Sequence, residues 1–174
     1  MTEITPLILT ALLDKHAFAR FDALRQEYFP PERNYLRAHL TMFHHLPGTQ
    51  AAEIVNEVKD AARHEEPMPA RADRMMFMGR GSSILIECDP LRDFRARLGN
   101  IWQHQLIPQD KQGWRPHVTV QNKVEPPQAR RLHRHLSARF KPCTIHVCGL
   151  RFFRYDYGPW TLIAEVPFTK TTPA

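Results

Sequence analysis

Two segments of this chain read alike: Arg37-Ala-His39-Leu-Thr41-Met42 and Arg115-Pro-His117-Val-Thr119-Val120, both of the form R-x-H-x-T followed by an apolar residue. Their histidines are 78 positions apart, and the flanking features recur at nearly the same interval. The apolar run starting at Pro6 is matched by Ser83 after 77 positions, the cap Asp14 by Asp89 after 75, and the helix opening at Thr49 by Pro126 after 77. A repeat of this length constrains the architecture before any single element is read. Each half must form the same supersecondary unit, and the two must bury a common face.

Periodicity and chain breakers supply the elements. Pro6–Leu13 reads as a buried strand, and Asp14 caps a helix over Lys15–Tyr28 with Phe18, Phe21, Leu24 and Arg25 at helical spacing. Pro30-Pro31 stops it, a strand runs from Arg37 to Leu46, and Thr49 caps a helix with the stripe Ala51, Ile54, Val55, Val58, Ala61, Ala62. Pro67 and Pro69 end that helix. Met75–Met78 and Ser83–Cys88 read as strands joined at Gly79-Arg80-Gly81. The order then restarts. Asp89 caps a helix with Pro90 in its first turn and Leu91, Phe94, Leu98, Ile101 and Trp102 inward, and a strand covers Arg115–Val124. Pro126-Pro127 opens a helix with Leu132, Leu136 and Phe140 inward, and Thr144–Tyr155 and Trp160–Val166 read as strands joined by a turn at 156–159. The expected fold is α+β: a single domain over 1–174, built as two β-α-β-α-β units, about 5–80 and 81–167, related by a pseudo-two-fold axis.

Composition narrows the setting. Among 174 residues the net charge is +6, which suits an anionic partner. Three cysteines, Cys88, Cys143 and Cys148, are too few for a disulfide framework and read as reduced thiols of a cytoplasmic protein. No apolar run approaches the roughly 20 residues that span a bilayer, and Pro6–Leu13 lacks the basic flank of a signal peptide. No membrane association is expected, and a monomer is the simplest state.

The chemistry lies in the twin motif. Strand side chains alternate, so Arg37, His39 and Thr41 share one face while Leu40 and Met42 face apolar packing, and Arg115, His117 and Thr119 repeat the arrangement against Val118 and Val120. A two-fold axis brings the polar faces together across a cleft. Near neutral pH one imidazole can be neutral and its twin protonated, a general base facing a general acid. Two hydroxyls can donate to non-bridging phosphate oxygens, and the arginines can offset their charge. This is the set that a phosphodiester needs: a proton taken from the attacking oxygen, a proton given to the leaving oxygen, and a polar cradle between.

Two H-x-T-apolar motifs about 80 residues apart, in register with a repeat, resemble the 2H phosphoesterases, the family of LigT-like 2'-5' RNA ligases and RNA 2',3'-cyclic phosphodiesterases. The resemblance implies a bilobal fold with two mainly antiparallel sheets around a central cleft. It implies His39 and His117 as the catalytic pair, and Thr41 and Thr119 as the phosphate-binding residues. Arg37 and Arg115 stand as further candidates for phosphate contact. It also implies no cofactor and no metal, with RNA ends or small nucleotides bearing a cyclic phosphate or a 2'-5' linkage as substrates. Other readings stay open: an RNA-binding module with little catalysis, or another specificity on the same scaffold, such as a cyclic phosphate of ADP-ribose or a 3'-end exonuclease.

Other residues have plainer readings. Phe43 and His45, with Gln121 and Lys123, continue the polar faces toward solvent, and His44 points away from His39. Tyr35, Trp114, Phe153 and Tyr155 are packing aromatics that could stack a base. Arg92, Arg95, Arg97 and the run Arg130-Arg-Leu-His-Arg-His135 read as solvated helix faces. Cys143, His146 and Cys148 alternate along a strand and make a poor metal cage.

Overall fold

The structure, a computed structural model that describes residues 5–171, opens with strand β1 (Leu7–Leu13), helix α1 (Lys15–Tyr28), strand β2 (Leu40–Leu46), helix α2 (Ala51–Ala62) and strand β3 (Met68–Phe77). The same order follows as β4 (Ser82–Glu87), α3 (Asp89–Ile101), an added short helix α4 (Pro108–Lys111), β5 (His117–Gln121), α5 (Pro126–Arg139) and β6 (Cys143–Tyr155). Strand β7 (Trp160–Pro167) then folds back on β6.

All pairings are antiparallel, in the order β2-β1-β6-β3-β4-β5 with β7 beside β6. The third strand of each repeat crosses over: β3 pairs with β4, and β6 pairs with β1. Each three-stranded wing thus takes two strands from one repeat and one from the other, and the β3–β6 pair joins the wings into a single sheet. Along one edge of β6, residues 143–147 pair with β3 and residues 149–155 with β7. Gly149 sits at that switch, where an added Cβ would lie 2.3 Å from the Val166 carbonyl oxygen. Only a residue without a side chain lets β7 approach so closely.

One contiguous core fills the molecule, with Phe21, Leu40, Met42, Phe43, Phe94, Trp102, Val118, Val120 and Phe152 buried. The Asp14 cap is as expected. Its carboxylate accepts from the Ala17 amide at 2.8 Å and from the His146 amide at 2.7 Å, tying α1 to β6. Other boundaries differ. Cys88, not Asp89, occupies the position before α3, and a 3-10 turn at Gly48–Gln50 displaces Thr49 from the cap of α2. β3 begins seven residues earlier than the sequence pattern indicates, because Pro69 lies inside it rather than ending a helix. β2 and β5 are shorter than expected at their starts, and Ile101 is exposed rather than inward. Among the described residues no helix is long and apolar enough to cross a membrane.

Candidate active site

β2 and β5 are the end strands of the sheet, and they carry the two motifs. The sheet curls so that these ends face each other across a cleft of about 510 Å³, lined by His39, Thr41, His44, Met78, Arg95, Trp114, Arg115, His117, Thr119, Asn122 and Trp160. The strands do not pair. Instead, side chains of each repeat satisfy backbone carbonyls of the other. From α1, buried Arg25 donates to the Thr119 carbonyl at 3.0 Å. From the second repeat, Trp114 donates to the Thr41 carbonyl at 3.0 Å and Arg95 to the Met42 carbonyl at 2.7 Å. Free strand edges are otherwise a liability, and here guanidinium and indole donors close them.

Each motif threonine pairs with a hydroxyl residue on the neighbouring strand, Thr10 with Thr41 and Ser83 with Thr119. By this ladder the first strands of the repeats align at Thr10 and Ser83, not at Pro6 and Ser83, and the longer stretch of the second repeat before its motif contains α4. Ser83 donates to the Thr119 hydroxyl oxygen at 3.1 Å, and the Met78 sulfur lies 4.0 Å from that same oxygen. A thioether is a weak acceptor, so an anionic oxygen can displace it.

Both histidines sit just before or at the start of their strands, held in the same way. The Nδ1–H of His39 donates to the Arg37 carbonyl at 2.8 Å, and that of His117 to the Arg115 carbonyl at 2.7 Å. A carbonyl oxygen can only accept, so the neutral ring of each carries its lone pair on Nε2, the nitrogen left for the cleft. Trp160 covers His39 with ring centroids 4.7 Å apart. Burial pushes the His39 pKa down to about 4. The bond to the Arg37 carbonyl opposes that shift, and Arg25, His117 and His44 reinforce it with like charge.

A register shift falls at the same place in both repeats. Met42 in β2 and Val120 in β5 are extra residues, because Thr41 and Phe43 oppose adjacent Thr10 and Leu9, as Thr119 and Gln121 oppose Ser83 and Ser82. Past the bulge the alternation inverts. Phe43 and Gln121, expected on the polar faces, are buried, and His44, expected to point away, lines the cleft. The His44 ring and amide and the His45 amide all donate to buried Asp110 of α4. Burial alone would raise the Asp110 pKa, but these donors outweigh it and hold the carboxyl below its usual range.

The other candidates divide. Arg115 lines the cleft, whereas Arg37 is turned out to Asp22 at 2.5 Å and borders a smaller hollow of about 200 Å³ with Tyr35, Phe153 and Trp160. Trp114 lines the cleft, and Tyr155 packs on Tyr157 instead. Arg95 faces the cleft rather than solvent. The sequence reading also passed over Trp160, Asp110 and the cross-wing role of Arg25. Trp160 opens a strand with no motif, and the other two act only through partners far along the chain. Among the described residues no three His, Cys, Asp or Glu side chains converge as a metal cage. A larger hollow, about 650 Å³, lies at the start of α3, but its lining mixes Arg71 and Arg92 with Glu87 and Asp89 and contains no histidine.

A model of the 2'-5' RNA ligase superfamily matches residues 13–159. The chain belongs to that superfamily. Among solved structures the fold is similar to TT0787 of Thermus thermophilus, with a TM-score of 0.67 and 17% identity over 94% of this chain and 98% of that one. It is also similar to E. coli LigT complexed with 3'-AMP, with a TM-score of 0.61 and 15% identity over 97% and 100% of the two chains. A third similar structure, described as a phosphoesterase, gives a TM-score of 0.55 and 13% identity over 95% and 99%. Comparison with curated proteins gives no match. At these identities the structural likeness speaks to the fold, which is the LigT-like α+β arrangement expected from the twin motif.

Proposed function

We propose that this member of the 2'-5' RNA ligase superfamily opens 2',3'-cyclic phosphates on RNA ends or small nucleotides to 2'-phosphates, with two histidines as acid and base. The observation that carries the reading is the paired tether: two rings, each bonded through Nδ1 to the carbonyl two residues earlier, leave two Nε2 atoms to one cleft. His39, with its pKa near 4, is neutral at pH 7 and acts as the base. Its Nε2 takes a proton from water as the water oxygen bonds to phosphorus. The P–O3' bond breaks, and protonated His117 gives its Nε2 proton to the leaving O3'. Proton exchange with solvent resets the pair. Thr41, Thr119 and Arg115 hold the non-bridging oxygens as charge builds on them. Arg37 is left out of the anion site, since Asp22 already engages it. The LigT structures complexed with 3'-AMP, ATP and phosphate support a nucleotide or phosphate ligand for a protein of this fold.

The test is a panel of 2',3'-cyclic nucleotides, 2'-5' and 3'-5' dinucleotides and cyclic-phosphate-ended RNA, assayed with EDTA present. Turnover of the cyclic phosphates is expected to persist in EDTA. His39→Ala and His117→Ala should each lower kcat by about 10²–10⁴-fold while the circular dichroism spectrum stays unchanged. Full turnover by either variant would sink the acid–base pair.

A further inference from the structure

The duplication supplies an internal comparison of the two ends of the cleft. His44 and Asn122 are equivalent positions, each the third residue past its motif threonine and just beyond the bulge, and both line the cleft. The motif strands run in opposite directions across it. Trp114, ahead of the second motif, reaches the Thr41 carbonyl, while Arg25 links the Leu36 carbonyl, ahead of the first motif, to the Thr119 carbonyl. Arg33, also ahead of the first motif, meets the Lys123 carbonyl at 3.5 Å. His44 therefore lies where the second repeat enters its motif, and Asn122 where the first repeat enters its own.

Those two entries differ. The segment before His39 carries a 3-10 turn at Pro31–Arg33, whereas the segment before His117 carries α4. α4 sets Asp110 behind His44, with its carboxylate fully buried and the Nδ1–H of the His44 ring donating to it at 2.8 Å. Among the described residues its one ion pair is to His44, since Arg95 meets only its backbone carbonyl. Asn122 instead accepts from the adjacent Lys123 amide at 2.8 Å. His39 and His117 spend Nδ1 on neutral carbonyls, and His44 spends it on a carboxylate. A carboxylate behind an imidazole stabilises the imidazolium when an anion lies at Nε2. Beside His44 the cleft wall continues as Arg95, Gln109 and Gln112. Arg95 is fixed there between the Phe43 and Trp114 rings, 4.6 and 5.1 Å from their centroids, so its charge stays at this end. The aromatics suited to a base, Tyr35, Phe153 and Trp160, lie with the other entry, beside His39. One pleat repeat along β2 carries His44 about 7 Å past Thr41. A ribose holds its 5'-phosphate away from a 2',3'-cyclic phosphate by a similar span.

We propose that His44, Arg95, Gln109 and Gln112 form a second phosphate subsite, so that the preferred substrate is a mononucleotide carrying a 5'-phosphate monoester besides its 2',3'-cyclic phosphate. This rests on the hydrolytic reading above and narrows its substrate class. Two cationic donors and two amides match the three oxygens and nearly double charge of a monoester, whereas a diester offers two free oxygens and one charge. A 5'-hydroxyl substrate leaves these donors to water.

The experiment compares three adenosine 2',3'-cyclic phosphates that carry a hydroxyl, a phosphate or a methyl phosphate at the 5' position. In the wild type, kcat/KM for the 5'-phosphate should exceed that for the 5'-hydroxyl by about tenfold to 100-fold, with the methyl ester between them. His44→Ala should bring that ratio down about tenfold. His44→Gln, which keeps an amide donor to Asp110 but no charge, should lower it as well and serves where the alanine variant fails to fold. A wild-type ratio near one overturns the subsite, as does a ratio unchanged in the folded variants, including equal losses on both substrates. A methyl ester as good as the monoester overturns the assignment to a terminal phosphate. If the wild type hydrolyses none of the three, the hydrolytic reading fails by itself. Titration calorimetry with adenosine 2',5'-bisphosphate and adenosine 2'-phosphate then decides the subsite. Tighter binding of the bisphosphate, lost in His44→Ala, supports it; equal affinities, or a preference that His44→Ala retains, overturn it.

Discussion

His39 and His117 share one local device, a strand-entry histidine whose Nδ1 is spent on the carbonyl two residues back, yet their surroundings differ. His39 is covered by Trp160 and faces Arg25, His44 and His117, and burial above all keeps it neutral. The consequence for stability follows from linkage. Between the unfolded value near 6.5 and the folded value of about 4, the unfolded chain binds more protons at this site, so His39 makes the fold less stable as pH falls through that window and has no effect above it. His39→Gln should therefore lose less stability than wild type between pH 7 and 4.5, measured by urea unfolding. NMR of the ring should give a midpoint near 4 in the free protein, and added inorganic phosphate should raise it, since an anion between the rings favours the charged form. A free-ring midpoint at 6.5 would remove the basis for calling His39 the base. The motif announced both histidines and both threonines. It did not announce Trp160, because a lone tryptophan opening a strand carries no pattern until the fold sets it on His39.

The strands show what period-two counting can and cannot find. Leu40 and Met42, like Val118 and Val120, are buried as alternation requires. The bulges after Thr41 and Thr119 then invert the residues that follow them, which placed Phe43, His44 and Gln121 on the wrong faces in the sequence reading. A bulge is a relation between two strands, so neither strand states it alone. The same holds for β6, which serves β3 with one half and β7 with the other, Gly149 marking the change. Gly149→Ala would press a methyl against the Val166 carbonyl and is expected to cost about 1–3 kcal/mol, read as a lower urea midpoint with an unchanged m-value. A neutral substitution would mean that β7 can move away from β6 freely.

The exchange of third strands binds the two repeats into one body. Without residues after 81, β1 loses its β6 partner, and β3 loses both β4 and β6. A single calorimetric transition with matching calorimetric and van't Hoff enthalpies is expected. The first repeat alone should give no cooperative transition. Two separable transitions would show that the wings are stable apart. The closure over the cleft is equally shared, with Arg25 reaching from the first repeat and Arg95 and Trp114 from the second.

The local signals in the chain were enough for the α+β class and for two motifs whose four polar residues line one cleft, because a repeated H-x-T at strand spacing leaves few ways to bury its apolar face. Which arginines reach that cleft was settled only in three dimensions. Arg37 and Arg115 are equivalent in sequence, but Asp22 on α1 captures the first, while the second stays on the cleft wall. The contacts that decide such cases join residues many positions apart, and a pattern read along the chain contains no term for them.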